Sequence, residues 1–253
     1  GHYDVYDHQG LGNTNNQLAG RATTQQAQGY NLIAYDVGNS GPTGWLMPED
    51  QVGPILEFCR KRGIWWIADE VYERIVYDRK LSPSPLDIAG PGDPVISINS
   101  FSKSWSMTGW RLGWVVAPPE FGTIVGKINE FNMSGATTFV QFAGIAAIEQ
   151  GEPYVAEIVA DFARARDLVV QRLGAMPRVR LMRPEAAFYA FFEVDGMNDS
   201  LEFAKRVLAT TGVGLAPGIA FGPEGEGWLR LCFATSAPLL SEALDRLAPI
   251  FAR

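Results

Sequence analysis

The sequence predicts an α/β fold in which helices flank a mainly parallel sheet, followed by a smaller α+β domain. Two runs of mainly apolar residues, 64–68 and 95–100, end in polar residues, which is typical of strands that helices cover on both faces. Apolar residues then recur at helical intervals from residue 121 to residue 173. From Val179 onwards, short strands alternate with helices.

The N-terminal part of the chain predicts a loop, a strand and a helix in turn. Residues 9–31 are rich in Gln, Asn, Thr and Gly, which favours a loop, and residues 32–35 are expected to form a short strand. Pro48 and the two acidic residues after it favour the start of a helix. This helix should run through the basic residues 60–62 and end at Gly63.

The rest of the chain predicts one more strand of the main sheet and then a second domain. Residues 110–117 are expected to form a strand with Arg111 near its beginning. We predict a partial large domain over residues 1–151, of which 1–31 are atypical, and a small C-terminal domain over residues 152–253. The elements expected after residue 120 are helices 121–131, 139–150, 154–173, 201–210 and 238–251 and strands 179–181, 188–193, 213–216 and 229–233.

Charge and composition argue against several classes of function. The 253 residues carry 21 Lys and Arg against 28 Asp and Glu, a net charge of −7, so nucleic acid and membrane surfaces are poor partners. The apolar runs are far shorter than the roughly 20 residues that cross a bilayer. Two cysteines and two histidines exclude a Cys/His zinc site, and we expect no metal. No signal-peptide pattern begins the chain, so the cytoplasm is the expected compartment.

Lys103 is the first candidate for chemistry. It closes an apolar run within a segment that contains Trp105, Trp110 and Trp114, where partial burial would favour a neutral amine. A neutral amine can form a Schiff base with a carbonyl compound. The alternative is an exposed lysine at a strand end, which is the commoner environment for lysine.

Arg111, Ser100 and Ser102 form a second candidate group. They are hydrogen-bond donors expected near the same strand ends as Lys103, and together they suit a phosphate dianion. A salt-bridged arginine and two turn serines would explain the same residues without a ligand.

Asp69 and Tyr72 follow the strand at residues 64–68. A carboxylate after so apolar a strand needs a cation or a protonated ring nitrogen beside it, and the Tyr72 phenol could reach the same ligand. Asp69 could instead cap a following helix.

Arg230 is a charged residue inside the apolar strand expected at residues 229–233. A carboxylate held by both arms of the guanidinium is its natural partner, and that carboxylate could be internal or part of a substrate.

These residues lie in segments that together resemble the class I/II aminotransferases, enzymes of fold type I that depend on pyridoxal phosphate. The segments occur in the order and at the spacing of that family from Pro42 to the end of the chain, which is more specific than any single motif. The matching segments are PTGW at 42–45, ADEVY at 68–72, SFSK at 100–103, TGWRLG at 108–113, FYAF at 188–191, and APG at 216–218 leading to Arg230.

The resemblance implies a role for each candidate residue. Lys103 would hold pyridoxal phosphate as an internal aldimine and shuttle a proton, while Asp69 would pair with the pyridinium nitrogen. Tyr72 would donate a hydrogen bond to the phenolate oxygen of the cofactor. The remaining implied contacts are Ser100, Ser102 and Arg111 with the phosphate and Arg230 with the substrate α-carboxylate.

The sequence departs from the family pattern in three places, one of which is Ala186, where the family tends to have glycine. The family has Asn immediately before Pro-Thr-Gly, where this chain has Gly41, so Asn39 is the nearest candidate for that cofactor contact. The N-terminal half of the family's large domain is not recognisable in the chain. We therefore expect a fragment, a deletion variant or a remodelled protein.

The function that the resemblance implies is transfer of an amino group from an amino acid to a 2-oxo acid. A homodimer is implied as well, because the family builds each site with help from a neighbour. Two alternatives stay open: a β-lyase that uses the same cofactor, and a truncated, non-catalytic module that keeps the fold. No arginine occurs between Phe121 and Ala163, which slightly favours an apolar, aromatic or small amino donor.

Overall fold

The structure is a computed structural model that describes residues 32–35 and 43–252. These residues form two compact units. The N-terminal unit contains residues 32–35 and 46–157, and the C-terminal unit contains residues 43–45 and 158–252. The predicted loop at residues 9–31 and the candidate Asn39 lie outside the described residues. The domain boundary predicted near Glu152 stays a prediction.

A four-stranded sheet is the centre of the N-terminal unit. Its strands are β1 (Leu32–Tyr35), β2 (Trp65–Asp69), β3 (Val95–Ser100) and β4 (Gly113–Val116), in that spatial order. The first three run parallel, whereas β4 is antiparallel to β3 and pairs Gly113 with Ser100. The carboxyl ends of β2 and β3 therefore meet the amino end of β4 at one edge of the sheet.

Helix α1 (Glu49–Arg62) lies in the same unit and follows the sequence prediction closely. Acidic residues occupy its first turn and basic residues its last, which suits the helix dipole. Gly63 ends the helix with a left-handed φ of 62°, which glycine adopts at little cost. The buried residues of α1 and β2 are Val52, Ile55, Leu56, Cys59, Trp66 and Ala68.

The structure corrects two local expectations around the candidate residues. Lys103 does not close a strand, because β3 ends at Ser100 and a four-residue helix, α2 (Phe101–Ser104), follows. Arg111 does not lie within the third strand, because residues 108–110 form a turn of 3₁₀ helix and β4 begins only at Gly113. Arg111 itself has a left-handed φ of 55° and reverses the chain between them.

Two further helices of this unit, α3 (Gly122–Met133) and α4 (Thr138–Gln150), confirm the predicted helices but are largely exposed. Every residue of α3 is exposed, including Phe131 at 92%. Phe139 and Phe142 on α4 are 69% and 67% exposed. Helix α5 (Glu152–Leu173) follows and continues from the N-terminal unit into the C-terminal unit. None of the described helices is long and apolar enough to cross a membrane.

The C-terminal unit contains a second, antiparallel sheet. Its strands are β5 (Val179–Leu181), β6 (Tyr189–Val194), β7 (Ala216–Pro217) and β8 (Trp228–Cys232), in the order β5-β6-β8-β7. The strand expected at residues 213–216 is wrong in extent, because only Ala216 and Pro217 pair with β8. Strand β8, which carries Arg230, therefore lies between β6 and β7.

Two helices cover this sheet, α6 (Ser200–Thr211) and α7 (Ala237–Phe251), as the sequence predicted. Helix α7 buries one face that consists of Leu240, Leu244, Leu247 and Phe251. The Phe251 ring contacts Phe192 of β6 at a centroid distance of 5.8 Å and Phe203 of α6 at 6.1 Å. These contacts join both helices to the sheet in one core.

Gly44 illustrates how residues 43–45 pack within the C-terminal unit. Its carbonyl oxygen accepts hydrogen bonds from the N–H groups of Glu185 and Ala186, at 2.8 and 3.1 Å. Its φ is +74°, and a Cβ atom here would lie 2.8 Å from both Pro184 Cβ and the Tyr189 carbonyl oxygen. A side chain at this position is therefore excluded by the backbone as well as by packing.

Replacing Gly44 with alanine is expected to lower the free energy of unfolding by about 1–3 kcal/mol, because the new methyl group meets backbone and the φ angle is unfavourable. Urea denaturation followed by circular dichroism measures this change. The matched control is Gly53→Ala, since a Cβ at Gly53 meets no atom within 4 Å and alanine favours the interior of α1. Equal stability of the two variants would contradict the prediction.

Candidate active site

The candidate residues of the N-terminal unit come from the edge of the sheet where β2 and β3 end. Asp69 is the last residue of β2, and Ser100 is the last residue of β3. Lys103 lies on α2, directly after β3. This placement follows from the parallel pairing of the two strands, which aligns Asp69 with Ile98. The structure therefore brings the acid and the amine to one edge of the sheet.

Asp69, Tyr72 and Lys103 lie close together at this edge. Lys103 Nζ is 5.7 Å from the centroid of the Tyr72 ring, and the Tyr72 side chain is buried at 6% exposure. Burial raises the pKa of Asp69, while a hydrogen bond from the Val71 N–H and the nearby Lys103 ammonium lower it by less. Among the described residues, the Lys103 charge therefore offsets only part of the cost of burying this carboxyl group, and a protonated ring nitrogen beside it would further favour the charged form.

Asp69 does not cap a helix, which the sequence left as an alternative. Residues 71–74 form turns, and Asp69 Oδ1 accepts a hydrogen bond from the Val71 N–H at 3.3 Å. The hydrogen bond orders the turn that carries Tyr72. The candidate role of Asp69 as an ion-pair partner is consistent with this geometry.

Ser100 and Ser102 form a small group of donors at the start of α2. Ser100 Oγ lies 2.9 Å from Ser102 Oγ and accepts a hydrogen bond from the Ser102 N–H at 3.0 Å. Phe101, which precedes Ser102, is held by a hydrogen bond from its N–H to the Leu112 carbonyl at 3.1 Å. Because these two N–H groups bond protein acceptors, the hydroxyls are the donors that this group offers to an anionic ligand.

The residue after Arg111 contacts this group through its backbone carbonyl. Leu112, the next residue, accepts the hydrogen bond from Phe101 and also lies 3.3 Å from Ser100 Oγ. The Arg111 guanidinium donates to the Thr108 carbonyl oxygen at 2.9 Å and lines an open pocket of about 570 Å³ with Ser106, Trp110 and Thr137. The guanidinium is exposed toward this pocket.

An aromatic cluster packs around Phe101, the first residue of α2. The Phe101 ring contacts Trp105 and Trp114 at centroid distances of 5.1 Å each. The guanidinium carbon of Arg74 lies 5.0 Å from the centroid of the Trp105 ring, and Arg74 forms an ion pair with Glu152. Two of the three tryptophans expected around Lys103, Trp105 and Trp114, therefore contact Phe101 of its helix, whereas Trp110 is 44% exposed.

Arg230 belongs to the C-terminal unit, on β8. Its guanidinium carbon lies 4.2 Å from the Tyr189 ring centroid and 4.4 Å from that of Phe221. Two aromatic faces thus compensate part of the charge and fix the plane of the guanidinium. No sequence pattern indicates this pair of rings, because Tyr189 reaches Arg230 through the pairing of β6 with β8 and Phe221 comes from the 3₁₀ turn at residues 218–221.

Sequence reasoning missed a layer of buried polar residues beneath the site. Glu70, Ser97 and Asn99 are 1%, 1% and 5% exposed. Ser97 Oγ donates a hydrogen bond to Glu70 Oε2, and Asn99 Oδ1 accepts one from the Ser100 N–H at 2.8 Å. The signal available in the sequence was polar residues at alternate positions of an apolar strand, Ser97 and Asn99. Within the described residues, no group of three or more His, Cys, Asp or Glu side chains could hold a metal ion.

Glu70 gives this layer a predictable pH dependence. Burial raises its pKa above the ordinary 4.5, and the charges of Glu73 and Asp87 raise it further, whereas the hydroxyls of Ser84 and Ser97 lower it by less. A carboxyl group whose pKa is raised in the folded state destabilises the fold as pH rises above its unfolded pKa.

We therefore expect the free energy of unfolding of Glu70→Gln, relative to the unaltered chain, to increase from pH 4 to pH 8. Glutamine has nearly the same shape and does not ionise, so it avoids a cost of about 1.4 kcal/mol per unit of pKa shift. Chemical denaturation of both proteins across this range measures the difference. A difference that stays constant or falls with pH would contradict the raised pKa.

Comparisons with known proteins agree with this architecture. The family model for aminotransferase class I and II matches residues 2–247. An aspartate aminotransferase of Thermotoga maritima is 38% identical over 208 residues, covering 82% of this chain and 53% of that protein. An aromatic-amino-acid aminotransferase of Thermococcus litoralis is 35% identical and is covered to 55%. The chain spans about half the length of the relatives it matches.

Solved structures give the same result. The crystal structure of the Thermotoga maritima aspartate aminotransferase superposes with a TM-score of 0.78 and 36% identity, over 88% of this chain and 56% of that chain. An aromatic aminotransferase from Pyrococcus horikoshii superposes with a TM-score of 0.80 and 32% identity, over 87% and 58%. The predicted α/β architecture of fold type I, with a partial large domain, is confirmed. Because the family model spans nearly the whole chain and these relatives share its fold, the chain belongs to the class I and II aminotransferase family.

Proposed function

We propose that this chain carries the catalytic groups of a pyridoxal-phosphate-dependent aminotransferase, which moves an amino group from an amino acid to a 2-oxo acid. The observation that carries the proposal is the meeting of Asp69, Tyr72 and Lys103 at one sheet edge, in a chain of this family. A partly buried acid beside an amine is the pair of groups that this chemistry requires.

The residues present fit the cofactor. Pyridoxal phosphate combines a phosphate, a ring nitrogen that can hold a proton and an aldehyde. Asp69 is a partly buried carboxyl group, Ser100 and Ser102 offer hydroxyl groups, and Lys103 offers a primary amine. Each part of the cofactor thus has a complementary group at this edge. When bound, the ring supplies an electron sink that makes the Cα proton of an amino acid acidic.

The chain's own residues would then act as follows. Asp69 would hold the proton on the ring nitrogen, and Tyr72 would donate a hydrogen bond to the phenolate oxygen. Lys103 Nζ would take the proton from the substrate Cα and deliver it to C4′ of the cofactor. Ser100, Ser102 and Arg111 would bind the phosphate, and Asn39 is proposed for a cofactor contact from the sequence pattern alone.

Arg230 is proposed to bind the α-carboxylate of the amino acid. Its planar guanidinium contacts both the Tyr189 and Phe221 rings, which restrict its orientation and so favour a carboxylate bound by both arms. Replacing it with lysine would keep the charge and lose this geometry.

The class of amino donor is a finer part of the proposal. Relatives named for aspartate, for LL-diaminopimelate and for aromatic amino acids all match this chain at similar identity. The sequence between Phe121 and Ala163 contains no arginine, so it offers no guanidinium there for a side-chain carboxylate. We therefore propose an apolar, aromatic or small donor. A homodimer and a cytoplasmic location stay predictions from the family resemblance.

The proposal is tested with the purified chain and added pyridoxal phosphate. A visible absorbance band that borohydride removes, followed by peptide mapping of the modified lysine to Lys103, would support cofactor binding. Mixing with single amino acids and 2-oxoglutarate should then yield glutamate and the 2-oxo acid of the donor. Accumulation of an elimination product without glutamate would favour the β-lyase, and absence of the band would favour the non-catalytic module.

A further inference from the structure

Glu70 is the most buried charged residue among the described residues of the N-terminal unit, at 1% exposure. It lies between Asp69 and the turn that carries Tyr72. It belongs to none of the contacts proposed above for cofactor or substrate. A carboxyl group is a costly occupant of a buried position, so its presence there requires an explanation from the contacts it makes.

Two hydrogen bonds of Glu70 tie β2 to β3, and the Ser84 hydroxyl also faces its carboxyl group. Its N–H donates to the Ile98 carbonyl oxygen at 2.8 Å, and its Oε2 accepts a hydrogen bond from Ser97 Oγ. Both partners belong to β3. The backbone and the side chain of one residue therefore hold the neighbouring strand at two successive positions.

A second contact extends this link to the start of α2. The Glu73 N–H donates to the Glu70 carbonyl oxygen at 3.0 Å, and the Glu73 carboxyl group is hydrogen-bonded to the Asn99 side chain. Asn99 Oδ1 in turn accepts from the Ser100 N–H at 2.8 Å. A continuous series of hydrogen bonds thus leads from the residue after Asp69 to the serine three positions before Lys103.

We propose that Glu70 is a positioning residue, which clamps the end of β2 to β3 through Ser97 and thereby fixes Asp69 and Tyr72 relative to Ser100 and Lys103. This inference rests on the proposed function for its consequence in cofactor binding, although the clamp itself does not. Loss of a buried hydrogen bond of this kind changes an equilibrium by about tenfold.

The clamp is tested first without cofactor, by amide hydrogen exchange measured by NMR. In Glu70→Ala, the amides of Ser100, Phe101 and Ser102 should exchange about tenfold faster than in the unaltered chain. In Glu70→Gln they should stay within about twofold, because the amide keeps an acceptor for Ser97. The Ile64 amide, which bonds Cys59 at the end of α1, should be unchanged in both variants.

Three results of this measurement would overturn the clamp. Equal acceleration at Ile64 would mean that Glu70 only contributes to global stability. Unchanged exchange at Ser100 to Ser102 in Glu70→Ala would mean that the strand ends do not depend on it. Failure of glutamine to restore slow exchange would overturn it as well, since the contact with Ser97 requires only an acceptor.

A milder variant keeps the test valid if Glu70→Ala does not fold. Ser97→Ala removes only the hydroxyl that donates to Glu70 and should produce the same local acceleration. The matched control is Ser82→Ala, because Ser82 is 5% exposed in the same unit and its hydroxyl has no hydrogen-bond partner within the described part of the chain. Indistinguishable exchange in the two serine variants would contradict the clamp.

The second readout is the dissociation constant for pyridoxal phosphate, measured by absorbance titration. We expect an increase of about tenfold in Glu70→Ala and within twofold in Glu70→Gln. If the unaltered chain binds no pyridoxal phosphate, the proposed function fails. The hydrogen-exchange measurement still shows whether Glu70 holds the end of β2 to β3. If it binds and Glu70→Ala binds equally well, the positioning role fails while the proposed function stands.

Discussion

Replacing Lys103 with alanine is expected to lower the rate of amino-group transfer by about 10³-fold or more. The substitution removes the primary amine that would carry the proton, and loss of a positioned acid or base alone costs 10²–10⁴-fold. It also removes the nucleophile that would hold the cofactor covalently. The rate is measured as glutamate formed from an amino donor and 2-oxoglutarate, and the covalent attachment by mass spectrometry after borohydride treatment.

Lys127→Ala is the matched control for this variant. Lys127 is an exposed lysine on α3 in the same unit, so its replacement removes an equal charge away from the sheet edge. We expect its rate and its labelling to equal those of the unaltered chain. Labelling of Lys127 or of another lysine in the Lys103 variant, with activity retained, would refute the assignment of Lys103.

Replacing Asp69 with asparagine is expected to lower the turnover rate by about 10²–10³-fold, the scale for loss of one preorganised electrostatic contact. Asparagine keeps the size of the side chain and an oxygen that can accept from the Val71 N–H, so the turn that carries Tyr72 should persist. What it loses is the negative charge that would keep a proton on the cofactor ring. Turnover and the dissociation constant for pyridoxal phosphate are measured in parallel.

The expected signature of Asp69→Asn is a large fall in turnover with a smaller change in cofactor affinity. Asp50→Asn, an exposed acid on α1, changes the net charge equally and should leave both quantities unaltered. A turnover rate within threefold of the unaltered chain would show that the charge at position 69 does not act on the reaction.

The sequence predicts the proximity of Asp69 and Lys103 better than it predicts the elements that carry them. Parallel pairing of two apolar strands was enough to place Asp69 near Ser100, because the ends of such strands meet at one edge. The helix that carries Lys103 has only four residues, which is too short for apolar periodicity to reveal. Arg111 was assigned to a strand because its neighbours are apolar, whereas it actually adopts a left-handed turn.

The polar layer beneath the site was not predictable for a different reason. Ser97 and Asn99 occupy alternate positions of β3, in a run that predicts a covered strand but does not indicate what their side chains contact. The structure buries both side chains and pairs Ser97 with Glu70. Whether a polar strand face meets water or another polar side chain is decided by tertiary packing, which the local pattern does not encode.

Helix α3 is a second case in which the local sequence pattern does not determine which residues are buried. Its apolar residues recur at helical intervals, and the helix forms where they predict it, yet all of its residues are exposed within the described structure. Periodicity identifies the apolar face of a helix and carries no information on its neighbour.

The residues proposed for the cofactor, apart from Asn39, occur in one uninterrupted stretch of chain, from Asp69 to Arg111, which contains the ends of β2 and β3 and stops just before β4. Their geometry is therefore inherited together. Genetic exchange or domain shuffling that breaks the gene on either side of this stretch keeps these proposed cofactor-binding residues together. Substrate preference can then change through the flanking sequence while the proposed chemistry is kept.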